Sequence, residues 1–194
     1  MQEVTTAPVD TDVDPDVAGE AAPAIDPTLF RRVMGSFASG VTVVTTAVDG
    51  PDGPEVRGIT VSAFMSGSLE PPLCVISIRK AARMHRLLIA AGHFGVSILA
   101  KSQERISSHF AGVPMANFEP ELIWAGRTPM LANATAVIAA DTAARHDCGD
   151  HTLLLGRIRH MAAAGFPPLL VHEGRYAGVT HPAEPAPEWV VDIW

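Results

Sequence analysis

The chain has 194 residues, 47% hydrophobic and 18% charged, which suits one domain with a substantial core and argues against a fibrous or wholly disordered protein. The formal charge of −7 belongs to the first 26 residues, which hold seven acids and no Lys or Arg, leaving 14 acids against 14 basic residues elsewhere. A neutral body with basic residues sparsely mixed among aromatics speaks against nucleic acid, and no apolar run reaches the ~18 residues of a membrane span.

Residues 1–26 are rich in Pro, Ala, Thr and Asp and have no apolar period, so a disordered acidic tail is expected. They lack the basic-then-apolar order of a signal peptide, so the expected compartment is the cytoplasm. Asp26-Pro27 is a helix start, an N-cap acid followed by proline at the first helical position. Phe30, Val33, Met34 and Phe37 then repeat at the spacing of one apolar helix face. The β-branched run "VTVVTTAV" (41–48) predicts a strand, and "DGPDGP" (49–54) a turn.

The stretch "RGITVSAFMSGSLEPPL" (57–73) predicts one further strand ending at Pro71-Pro72, where two backbone donors are missing. Thr60, Ser62, Ser66 and Ser68 would share one face of a regular strand, with Phe64 interrupting the row. Small hydroxyls leave room for a flat group to approach the backbone and can hydrogen-bond to it. They equally fit a polar sheet face turned to water.

"PLCVISI" (72–78) is apolar throughout and predicts a central strand; "AARMHRLLIAAG" (81–92) has helical spacing and a terminal glycine. "HFGVSILA" (93–100) predicts a strand, "SQERISSHF" (102–110) a short helix, and residues 111–133 an irregular excursion. Two long strands, 135–146 and 151–162, flank "DCGD", and "PLLVHEG" (168–174) is the last strand before a Pro-rich extension over 179–194. About seven strands with hairpin spacing and two to three helices favour a mainly β, antiparallel barrel with appended helices. Cys74 and Cys148 are expected as buried thiols, and no dinucleotide glycine motif, P-loop or nucleophile elbow is present. His146, Cys148 and His151 form the one local group of metal-ligating types, and no metal is expected.

The signature at 57–73 resembles that of the flavin reductase-like family, the short NAD(P)H:flavin oxidoreductases of two-component monooxygenases. Gly58, Thr60, Ser62, Ala63, Phe64, Ser66, Ser68 and Pro71 to Leu73 carry the match. "FRRVMGSFASGVTVVTT" (30–46), "GHFGVSILA" (92–100), "GDHTLLLGRI" (149–158) and "PLLVHEGRY" (168–176) follow in the family's order, so the resemblance covers about residues 28–178.

The resemblance implies a split β-barrel of the FMN-binding type, Greek-key-like, over 27–178, forming a homodimer. It implies reduction of FMN or FAD by NADH or NADPH and delivery of reduced flavin to a separate monooxygenase. Thr60, Val61, Ser62, Ala63, Ser66, Ser68, Phe94, Gly95, Ser97 and Tyr176 are the implied flavin contacts, and Arg79, Lys80 and Arg83 the implied phosphate ligands. His151 is the implied catalytic residue, positioning nicotinamide, with Asp150 orienting it. Relatives often have Ser or Thr after the lysine, whereas this chain has Ala81 and Ala82, so phosphate binding is expected to lean on charge and backbone. A split-barrel flavin or haem carrier and an oxidase of the pyridoxamine-phosphate type are the alternatives on the same fold.

Overall fold

The computed structural model describes residues 24–179, so the expected acidic tail and Pro-rich extension lie almost wholly outside the described residues. The chain divides into two units, 1–34 and 35–194. The described part of the first is chiefly helix α1 (Pro27–Gly35). Asp26 caps it, its carboxylate accepting from the N–H groups of Thr28 at 3.3 Å and Leu29 at 3.0 Å. Of the expected apolar face, Phe30, Val33 and Met34 lie on the helix and are exposed, whereas Phe37 lies beyond its end.

The second unit runs β1 (Ser39–Gly40), β2 (Thr42–Gly50), β3 (Gly53–Val61), β4 (Phe64–Ser68), β5 (Leu73–Arg79), α2 (Arg83–Ala91) and β6 (His93–Ile98). A 3-10 turn (Lys101–Gln103), α3 (Glu104–Phe110), β7 (Leu122–Ala125) and β8 (Thr128–Leu131) follow. Then come β9 (Ala136–Cys148), β10 (His151–Ala163), β11 (Leu170–His172) and β12 (Arg175–Ala177). Seven strands form one antiparallel sheet in the order β3-β2-β6-β9-β10-β5-β4. β3 runs directly into β4 through Ser62-Ala63, so the two end strands are neighbours in the chain, and Ser77 N–H donates to the Ala63 carbonyl at 3.0 Å, continuing the β4–β5 pairing. The result is a split barrel, with β1-β11-β12 and β7-β8 as small separate sheets.

The barrel interior holds Val44, Ile76, Ile78, Phe94, Val96 and Leu154, closed at one side by Met84 and Leu88 of α2. Each large side chain so buried contributes roughly 1.5–3 kcal/mol. β2 is buried on both faces at its start, and its hydroxyls are all satisfied: Thr42 Oγ1 donates to Val61 O at 2.7 Å, Thr45 to Pro129 O at 2.6 Å and Thr46 to His93 O at 3.1 Å. Left unmade, each would cost about 1–3 kcal/mol. Gly92 ends α2 in the left-handed region (φ 67°), its N–H returning to Leu88 O.

Several expectations are corrected. Residues 57–73 are two strands broken at Ser62-Ala63, so the hydroxyl row is not one face. β5 lies one strand from the sheet edge and alternates, with Cys74, Ile76 and Ile78 buried. The excursion at 111–133 contains the β7–β8 hairpin, whose Pro129 and Met130 fold over Gly95. The last strand is two, β11 and β12, turned at Glu173-Gly174, both with positive φ. Cys74 is buried as expected, but Cys148 is exposed at the tip of the β9–β10 hairpin.

Candidate functional site

Thr60 on β3 and Arg83 at the start of α2 come together in a cavity of about 610 Å³, with Gly58, Ile59, Leu87 and Phe110 among its walls. Gly58 makes the wall possible: a Cβ there would lie 2.6 Å from the Phe110 ring, so α3 could not settle on β3. Thr60 fastens the same contact, its Oγ1 donating to the Ser107 carbonyl at 2.6 Å. Tyr176 OH donates to Ser107 Oγ at 2.9 Å, which brings β12 into the group. The Thr60 proton is thereby committed, and its oxygen faces any ligand as an acceptor.

The α2 N-terminus has no side-chain cap, because Ala82 stands at the N-cap position. The His85 N–H donates to the Ala82 carbonyl at 3.0 Å, which leaves those of Arg83 and Met84 to meet an anion. Arg83 makes no ion pair among the described residues, whereas Arg79 and Lys80 do. Arg79 Nε is 3.7 Å from Asp150 and Lys80 Nζ 3.4 Å from Asp147. These pairs join the end of β5 to the hairpin tip, where Lys80 N–H also donates to Asp150 O at 2.9 Å.

His151 lies directly across from Arg79 in the ladder, and its Nδ1 is 2.7 Å from Asp150 Oδ1. The carboxylate can only accept, so Nδ1 carries the hydrogen and Nε2 is turned free for other partners. The His151 hydrogen bond, and then its charge and that of Arg79, hold the Asp150 carboxyl below its ordinary value. A ring fixed in one orientation with one open nitrogen can bind a carboxamide or carry a proton.

The other expected residues fall elsewhere. Ser62, Ala63 and Ser66 are exposed and Ser68 half-buried around the β3–β4 break, outside the cavity lining, and Val61 is buried in the core. Phe94 is fully buried inside the barrel. Gly95 is small because the Pro129 carbonyl crosses directly over it. Ser97 is fully buried and its Oγ accepts from Leu131 N–H at 2.9 Å, holding β8 to β6. These three serve packing. Ser107 and Phe110 as cavity-forming residues were not expected; they sit about fifty positions from their partners on β3, beyond any local pattern.

The description "flavin reductase like domain" matches residues 34–180. An NADH-dependent flavin reductase of a Rhodococcus species is 39% identical over 83% of this chain and 91% of its own length. The reductase component of 4-hydroxyphenylacetate 3-monooxygenase from Thermus thermophilus is 36% identical over 79% of this chain and 97% of its own. Among solved structures, an NADH:FAD oxidoreductase of Streptomyces globisporus in complex with NAD and FAD fragments superposes with a TM-score of 0.74 at 34% identity, covering 84% of this chain and all of the other.

Proposed function

The chain belongs to the flavin reductase-like family, and we propose that it reduces FMN or FAD with NADH and hands the reduced flavin to a separate monooxygenase. The observation that carries the reading at the residue level is the Thr60–Arg83 cavity, apolar on its walls and cationic at the uncapped start of α2. Apolar flanks suit a flat ring and a free guanidinium suits a phosphate, so the residues present fit a flavin mononucleotide moiety. When bound, the flavin supplies the acceptor for the hydride that leaves the nicotinamide.

The chain's own part is positioning. Ile59, Leu87 and Phe110 exclude water from the cavity, and Thr60 accepts from a ring N–H. Arg83 and the α2 N–H groups hold the phosphate. Arg79 and Lys80 support the turn, being already paired with Asp150 and Asp147. His151 presents Nε2 to the nicotinamide carboxamide, in the orientation Asp150 sets. No protein nucleophile is required, because the reaction needs only close stacking of two rings.

A homodimer completes the proposal. The β4 edge strand carries exposed Met65, and exposed Leu69 follows it, an apolar margin that a second copy would cover. We place the protein in the cytoplasm, a reading supported by the exposed free thiol of Cys148. A steady-state assay crossing NADH and NADPH with FMN, FAD and riboflavin tests the activity. Oxidation of NADH dependent on added flavin is expected; no oxidation with any pair would end the proposal.

A further inference from the structure

A second cavity, about 650 Å³, shares Arg57 and Phe110 with the first and opens along β3 toward Trp124 of β7. Its size falls within the ~300–1,000 Å³ of ordinary small-molecule sites. Its wall is aromatic. Phe118 is braced in place: the His109 ring lies 5.0 Å from it and 5.0 Å from Phe110, and the Arg105 guanidinium stands 5.3 Å over the Phe118 centroid. Trp124 lines the same space with 47% of its surface exposed. Beside Phe118 the lining continues with Glu119, exposed and without an ion pair among the described residues. At the shared boundary stands Arg57, paired with Glu55 and donating to Val56 O at 3.4 Å, with guanidinium donors to spare.

Aromatic surface, the carboxylate of Glu119 and the Glu55-paired guanidinium of Arg57 thus line one cavity, and Arg57 and Phe110 are shared with the first. That set of groups matches a nucleoside phosphate: a base to stack, a ribose diol to donate to a carboxylate, and a phosphate to meet an arginine. Carboxylates at the ribose position also repel a phosphate on the 2′-oxygen. We propose that this cavity binds the adenosine 5′-phosphate half of a dinucleotide whose 2′-hydroxyl is unmodified, with Phe118 as the stacking platform and Glu119 as the specificity-determining residue. The proposal rests on the flavin reductase reading of the neighbouring cavity. Both NADH and FAD carry such a half.

Calorimetry with adenosine 5′-phosphate as the probe reads the site without turnover. The full chain is expected to bind it, and to bind adenosine 2′,5′-bisphosphate about tenfold or more weakly. Phe118→Leu keeps an apolar side chain and should lower affinity about tenfold, the scale of one lost base stack. Glu119→Gln, an exposed change, should bring the two probes close together. Absence of binding, equal binding of the probes by the unmodified chain, or indifference to both substitutions would overturn the proposal. Kinetics separate the two sources. If NADH supplies the adenosine, Phe118→Leu raises its KM relative to that of reduced nicotinamide mononucleotide; if FAD does, the KM of FAD rises relative to FMN. Neither ratio moving would also overturn it, whereas a wild-type chain that oxidises no nicotinamide refutes the reductase reading and leaves calorimetry to decide this site.

Discussion

Arg83 and its two neighbours differ in a way that formal charge hides. Arg79 and Lys80 spend their charge on the acids of the β9–β10 tip, and Arg83 does not. Arg83→Ala should therefore weaken FMN binding about tenfold, since hydrogen bonds to charged groups contribute ~1.5–3 kcal/mol, and should weaken riboflavin far less. Fluorescence titration of both flavins checks this; equal losses would remove the arginine from the phosphate. His151→Ala should raise the KM for NADH severalfold and that for flavin less, while parallel rises would assign the residue to the fold. The cysteines give a third check. Burial pushes the Cys74 thiol up to about 11, and Cys148 is exposed. One thiol should react with a disulfide reagent in the native chain and two in denaturant; two reacting at once would contradict the packing around β5.

At the scale of elements, the α3–β3 contact, the β7–β8 cover and the long hairpin decide where the cavities lie. Asp141 on β9 ties two of these together, pairing with Arg159 of β10 at 2.9 Å and with Arg127 in the β7–β8 turn at 3.5 Å. The Arg159 hydrogen bond foremost, with both guanidinium charges, lowers the Asp141 carboxyl below 3.8. The folded chain then binds fewer protons there than the unfolded chain, so this contribution is full above the unfolded value and fades as pH falls through the folded one. The groups are partly exposed and solvent screens them, so the pairs are worth on the order of 1 kcal/mol together. Asp141→Asn should lower Tm slightly at neutral pH, and the gap should close on acidification below 3.8. A gap constant with pH would contradict the assignment.

Much of this arrangement was legible from spacing, and its failures have physical causes. The β-branched run of β2, the capped start of α1 and the glycine ending α2 are local signals, and they form as read. The break at Ser62-Ala63 was invisible because alternation continues across it; there the chain changes ladder partner from β2 to β5, which no pattern within the segment announces. Phe94, Gly95 and Ser97 looked like ligand contacts by family likeness, yet the β7–β8 hairpin, read as irregular, covers that strand. Thr60 and Arg83 were readable singly. Their meeting depends on Phe110 filling the space over Gly58, a complementarity no sequence window contains.

The second unit is a split barrel, and the reaction assigned to it calls for no protein nucleophile. Its role is to bring two flat rings together and release one of them reduced. That role makes a strict demand on stoichiometry. Mixing the full chain anaerobically with NADH and oxidised FMN or FAD, while both absorbances are followed, tests it most directly. The account predicts one flavin bleached for each NADH consumed, at a rate that rises with the chain's concentration. Flavin that stays oxidised, or a rate independent of the chain, would contradict it.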